Sequence, residues 1–316
     1  MIATRAHFFS EALTSYADAL LKLRAVFARG EGDTEAADAI RDEMDAPWYE
    51  MSKPEQQLAS ILAADLNRLE DAQAPRSAMP QTQRQIQELI DVEDWIGVLK
   101  TLHEHDDKIP AAVTAFLRGI AWQELSQPAV SLEFMIEAHR LDPRQPEFTE
   151  CLIAQLLRCD QIDEAARIAE NVLAGGPVRP ALYFKAIEAI SLNALTERVS
   201  TQPATYESLI QRVQEAIQLG IAAQDGALKP AIANAYVDLA LALHAVGRIK
   251  ESQNACLESL SFVPGHADAL LLLGWLFVDE KAPQTLGKDR FFDLFARRLS
   301  EASDHFIDTS NLLSIN

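Results

Sequence analysis

The sequence predicts an all-α fold of stacked helical hairpins, on three observations. First, prolines recur behind helical runs at near-fixed spacing: Pro110, Pro143 and Pro177 lie 33 and 34 residues apart, with Pro264 later in the same phrase. That period belongs to hairpin repeats, in which no unit buries its own apolar face and neighbours must stack to do so. Second, Ala, Leu, Glu, Gln and Arg dominate the long runs that lack Gly and Pro, and these are strong helix formers. Third, no convincing alternating run of about five residues marks a strand. The chain has 316 residues, 48% of them hydrophobic, which is ample for a packed core and too long for one small domain.

The opening block, residues 1–71, reads as three helices. The first spans about Arg5 to Arg29, with Phe9, Leu13, Tyr16, Leu20, Leu23 and Phe27 as its apolar stripe and Gly30 as its stop. The second starts near Asp33 or Thr34 and is expected to end before Pro47, because the residue ahead of a proline resists the α conformation. The third opens on Ser52-Lys-Pro54-Glu55, a capping box with proline in the first turn. Residues 72–81, with Pro75 and Pro80, form a linker. The repeat array follows over 82–280, and 281–316 hold a C-terminal capping helix, Leu286 to Ser303, and a tail.

Numbering each 34-residue unit so that its closing proline is position 32 gives a testable register. From Pro143 forward, Leu152 falls at 7, Ala165 at 20, Ala169 at 24 and Val172 at 27. From Pro264 backward, Tyr236 falls at 4, Leu239 at 7, Ala240 at 8 and Leu243 at 11. Gly119 and Trp122 take 8 and 11 in the unit before Pro143. These units resemble the tetratricopeptide repeat (TPR) family, whose pattern has a bulky residue at 4, Leu at 7, small residues at 8, 20 and 27, and Pro at 32. The segment from Ile40 to Asp71 also looks similar to one found in bacterial TPR proteins. The chain departs from the pattern between Pro177 and Pro264, where two insertions, around Asn193 to Thr205 and Ala222 to Pro230, imply lengthened helices or longer turns.

The net charge of −19 opposes nucleic acid and anionic membranes. The longest apolar run, Leu270 to Val278, is far short of the ~20 residues a membrane span needs. The amino terminus lacks the layout of a signal peptide, and Cys151, Cys159 and Cys256 form no CxxC pair. A cytoplasmic protein with reduced thiols is expected.

No catalytic constellation, metal set or cofactor motif stands out. His103 and His105 resemble ligands, but side chains two apart on a helix point about 200° apart, so a polar helix end is the plainer reading. Gly175-Gly176-Pro177 is a repeat turn and not a phosphate loop. In Asp45-Ala-Pro47-Trp48-Tyr49, the aromatics are either a docking knob or a staple that seats the third helix on the first.

The resemblance to TPR proteins implies a concave groove lined by the first helix of each unit. Carried over by position, it names Phe116 and Ile120, then Glu147, Glu150, Leu157 and Arg158, then Phe184. Asn234, Val237, Leu241 and His244 follow, and Asp268, Leu271 and Trp275 close the set. The carboxylate clamp of some TPR domains is absent: Glu150, Cys151 and Ala154 stand at its positions in one unit, and Val237, Asp238 and Leu241 in another. The mostly apolar stripe suits an amphipathic or apolar segment of a protein partner, and equally the opening block or the tail of this chain laid into the groove. The expectation is therefore a non-enzymatic interaction scaffold without cofactor or metal. Two alternatives stand beside it: a regulatory protein with the opening block as effector unit, and a homo-oligomer built by stacking repeat ends.

Overall fold

The computed structural model describes residues 10–69, 80–105, 108–196 and 203–279. Among these there are fourteen α-helices and no strand. The opening helices are α1 (Glu11–Ala28), α2 (Glu35–Glu50) and α3 (Lys53–Arg68). Hairpins follow: α4 (Pro80–Asp91) with α5 (Trp95–Glu104), α6 (Ala111–Glu124) with α7 (Pro128–Leu141), and α8 (Pro146–Arg158) with α9 (Ile162–Ala174). Then come α10 (Pro180–Thr196) with α11 (Pro203–Ala223), α12 (Lys229–Ala245) with α13 (Ile249–Phe262), and the single helix α14 (Ala267–Asp279). The expected capping helix, the tail and most of the linker lie outside the described residues. The chain divides into two compact units at Phe148 and Thr149.

The repeat is visible in one hydrogen bond. At the end of α4, α6, α8 and α12, an N–H reaches back five residues along the chain: Asp94 to Leu89 O, Gln127 to Trp122 O, Gln161 to Leu156 O and Arg248 to Leu243 O, at 2.8–2.9 Å. This closure requires a left-handed residue just past the helix. Glu93, Ser126, Asp160 and Gly247 supply it, with φ of 57°, 59°, 58° and 80°. Among the described residues, the helices flanking the insertions are long: α10 has 17 residues and α11 has 21. A single 3-10 turn, Gly226–Leu228, lies between α11 and α12.

Two expectations about the opening block are sharpened. The second helix does not end before Pro47; α2 runs on to Glu50 with the proline inside its last turn. The Met51 N–H still bonds to Pro47 O at 3.1 Å, so the turn holds without the one bond proline removes. Trp48 is a staple: its ring lies 5.6 Å from that of Tyr16 on α1, and its carbonyl accepts from Gln56 Nε2 at 2.8 Å. Tyr49 points away from this contact and is 81% exposed.

Glu55 caps two helices with one carboxylate. Its Oε1 accepts the Ser10 N–H at the start of α1 (3.0 Å), and its Oε2 accepts the Ser52 N–H at the start of α3 (2.9 Å). The hydrogen bonds with Ser52 and Ser10 hold its carboxyl down at about 2. An unfolded glutamate titrates near pH ~4.3. The stability this cap gives is therefore complete above that pH and is lost as pH falls through about 2. Glu55→Gln is expected to cost about 1 kcal/mol at pH 7. Thermal melts of the two proteins should converge between pH ~4.3 and ~2; a constant gap across that window would disprove the cap's charge dependence.

Within the first unit, Leu13, Leu62, Leu66, Leu99, Phe116, Trp122 and Phe134 are fully buried. A buried ion cluster crosses this core. The Arg118 guanidinium of α6 meets both oxygens of Asp65 on α3, each at 2.9 Å. His103 Nδ1 of α5 lies 3.0 Å from Asp65 Oδ1, and Arg68 Nη1 lies 3.8 Å away. Burial pushes the Asp65 carboxyl above the usual carboxylate range, against the pull of Arg118, His103 and Arg68. Arg24 of α1 pairs with Glu133 of α7 at 2.9 Å, and Gln127 donates to Thr14 Oγ1 at 3.1 Å. The opening helices are thus tied to the hairpins of their own unit by charge as well as by apolar packing.

In the second unit, α12 is buried on most sides, with Ile232, Val237, Leu239, Leu241 and Leu243 all in the core. Small residues bring α13 against it. Buried Ser252 and Ser259 donate to the carbonyls of Ala240 (2.7 Å) and Ala233 (2.9 Å) on α12.

Candidate functional site

The structure divides the predicted groove residues by burial. Phe116, Ile120, Leu157, Phe184, Val237 and Leu241 are each less than 7% exposed. Phe116 stacks on Phe148 with ring centroids 4.8 Å apart. Asp268 is buried as well. Glu147, Glu150, Arg158, Asn234, His244 and Trp275 are half-buried, and Leu271 is exposed. The His244 and Trp275 rings pack at 4.6 Å. Most of the apolar stripe therefore fills the space between helices, and the polar positions carry the accessible surface.

Three of the predicted residues share one cavity. In the second unit, Glu150 of α8, Phe184 of α10 and Asn234 of α12 line a space of about 260 Å³. The two longer walls repeat one spacing. Ala181, Phe184, Lys185 and Glu188 of α10 stand at i, i+3, i+4 and i+7, and so do Ala231, Asn234, Ala235 and Asp238 of α12. Ile187 of α10, Ala227 and Leu228 from the 3-10 turn, and Pro230 complete the enclosure. Small residues hollow the space, and Phe184, Ile187 and Leu228 make part of its wall apolar.

Gly220 on α11 sets the Phe184 ring. A Cβ at that position would fall 2.5 Å from the ring, so only glycine lets α11 approach this closely. The polar groups of the cavity are held in pairs. Arg179 Nη2 donates to Glu150 at 2.7 Å, and Lys185 Nζ donates to Glu188 at 2.7 Å, with those last two side chains only 11% and 12% exposed. Asp238 is 2% exposed. His266 Nδ1 accepts the Ala269 N–H at 3.4 Å, which places the ring proton on Nε2, 2.9 Å from Asn234 Oδ1. Asn234 is thereby turned with its oxygen toward His266.

No protein-family model and no curated protein matches the chain. Among solved structures, it is similar to one described as the P58(IPK) TPR domain. That likeness has 13% identity and a TM-score of 0.33, and covers 96% of this chain and 77% of that one. It is also similar to the APC/C hetero-tetramer Cut9–Hcn1, at 13% identity and a TM-score of 0.37, covering 97% of this chain and 56% of that one. Identity and score at this level transfer neither a partner nor a role.

The remaining chemical candidates are structurally employed. His103 contacts Asp65, and Lys108 Nζ lies 3.1 Å from His105 Nδ1. No group of three potential metal ligands occurs among the described residues. Burial pushes the Cys159 thiol up and the Cys256 thiol up to about 12, the opposite of an activated nucleophile. No described helix is long and apolar enough to cross a membrane. Lys185 and Glu188 were not singled out beside Phe184, although the register from Pro177 reaches them, and Asp238 entered only as a position of the absent clamp.

Proposed function

We propose that the protein is an interaction scaffold of TPR-like hairpins, binding an extended or helical segment of a protein partner along the first helices of its repeats. The observation that carries this reading is the cavity that Glu150, Phe184 and Asn234, from three successive first helices, line together. The other groove positions belong to the same reading, with Glu147, Arg158, His244, Leu271 and Trp275 as the contacts nearest solvent and the buried members as their support. The opening block (1–71), linker, array (82–280) and capping segment (281–316) remain its domain scheme, and no catalytic step enters it. A cytoplasmic setting fits the sparse thiols.

The test fills the cavity without removing a contact. Ala231 lines it and is half-buried. Ala231→Trp, with helicity and melting unchanged, is expected to lose the partner that the wild-type chain captures from native lysate. Equal capture by both proteins would move binding away from these helices.

A further inference from the structure

We propose that residues 286–303 of this chain fold back on α14 as the second helix of a further hairpin, laid over Ala267, Leu270, Gly274 and Phe277. α14 packs on the helices before it through Ala269, Leu272 and Leu276, all buried. Its other flank, at i, i+3, i+7 and i+10, is exposed and carries no polar side chain. Leu270 and Phe277 on that flank are 51% and 54% exposed. Single exposed leucines are ordinary on a protein surface, but a bare apolar stripe along a helix marks a face that another element covers.

The earlier hairpins show which element that is. On the 34-residue register, Leu270, Gly274 and Phe277 stand at 4, 8 and 11. At position 4 of α12, the Tyr236 ring stacks on Phe262 of α13 with centroids 5.8 Å apart. At position 8 of α6, a Cβ on Gly119 would fall 2.9 Å from Met135 of α7. At position 8 of α12, the Ala240 carbonyl accepts from Ser252 of α13 at 2.7 Å. At position 11, Trp122 and Leu243 are buried. In each comparison the contact is the second helix of the same hairpin. A Cβ on Gly274 would meet nothing within 4 Å among the described residues, although a glycine inside a helix costs stability unless the room is needed.

The chain carries a fitting occupant next in sequence. Residues 286–303, outside the described residues, place Phe291, Phe295 and Leu299 four apart, with Phe292 and Leu294 beside them. Phe291 follows Gly274 by 17 residues, much as Met135 follows Gly119 by 16. The connection, residues 280–285, falls within the roughly 2–8 residues usual between paired helices. A segment tethered this closely meets α14 at an effective concentration that a second copy of the chain does not reach. The fold-back closes the end that a stacking oligomer would use. Leu271 and Trp275 lie off this stripe, so the groove reading stands or falls independently.

Hydrogen exchange of the full chain, read by mass spectrometry, tests the contact from both sides. Phe291→Glu/Phe295→Glu is expected to speed amide exchange in α14 about tenfold, with α8, α10 and α12 unchanged. Gly274→Leu is expected to speed exchange in residues 286–303 about as much, because the new side chain fills the room the segment takes. On a bare face, Gly274→Leu would instead slow exchange in α14, since leucine is the better helix former, and leave residues 286–303 as they were. That result would overturn the inference, and so would unchanged α14 exchange in Phe291→Glu/Phe295→Glu. A mass of two chains by light scattering, with protection of α14 lost on dilution, would overturn it in favour of a second copy on this face.

Discussion

Arg118→Met is expected to destabilise the first unit by about 3–5 kcal/mol, because it leaves the Asp65 carboxylate in the core without its guanidinium. For a unit of this size that corresponds to a fall in Tm of about 10 °C. The Arg68 and His103 contacts remain, but Arg68 is 3.8 Å from Asp65 and partly in solvent, so neither replaces two contacts at 2.9 Å. The double variant Asp65→Leu/Arg118→Met should recover most of the loss, since two apolar side chains need no solvation. Calorimetry on the wild type, the single variants Arg118→Met and Asp65→Leu, and the double variant decides it. A neutral single variant, or a double variant as unstable as the single, would show that the pair does not hold α3 to α6.

Leu241→Glu is expected to unfold the second unit and not merely to block a partner. Leu241 is 4% exposed within the α12 core, and an unpaired carboxylate there costs several kcal/mol. A fall in Tm of about 10 °C or more should follow, with loss of helicity at lower denaturant. Ala231→Trp, on the same helix but at the cavity mouth, should melt within about 2 °C of wild type. If Leu241→Glu melts normally and loses only the partner, Leu241 is a contact surface, as the sequence register alone had it.

The contrast between these two positions shows what was readable in the chain. Helices and hairpins were legible because they are written in local spacing: Pro110, Pro143 and Pro177 set the period, and Ser52 with Glu55 announced the start of α3. Pro47 misled because the proline rule weighs the residue before it, whereas the last turn of α2 loses only one bond. The burial of the proposed groove positions was not legible. Register places Phe184 and Asn234 on first helices, but it does not say which flank of a helix a neighbour covers, and so Phe116, Val237 and Leu241 went unrecognised as core. Asp65 and Arg118 are 53 residues apart, and no local pattern pairs them. Lys185, Glu188 and Asp238 stand at register positions, but position alone does not say that α10 and α12 leave a cavity between them.

The left-handed closures of the hairpins have a consequence for anyone handling this protein. Three of the four are made by Glu93, Ser126 and Asp160, residues with a Cβ, where only Gly247 is suited to the conformation. Each such side chain works against its turn by about 1 kcal/mol. The chain thus carries a latent reserve of thermal tolerance at solvent-facing corners, open to glycine replacement one hairpin at a time. A hardened version for crystallisation or long binding assays can be assembled there.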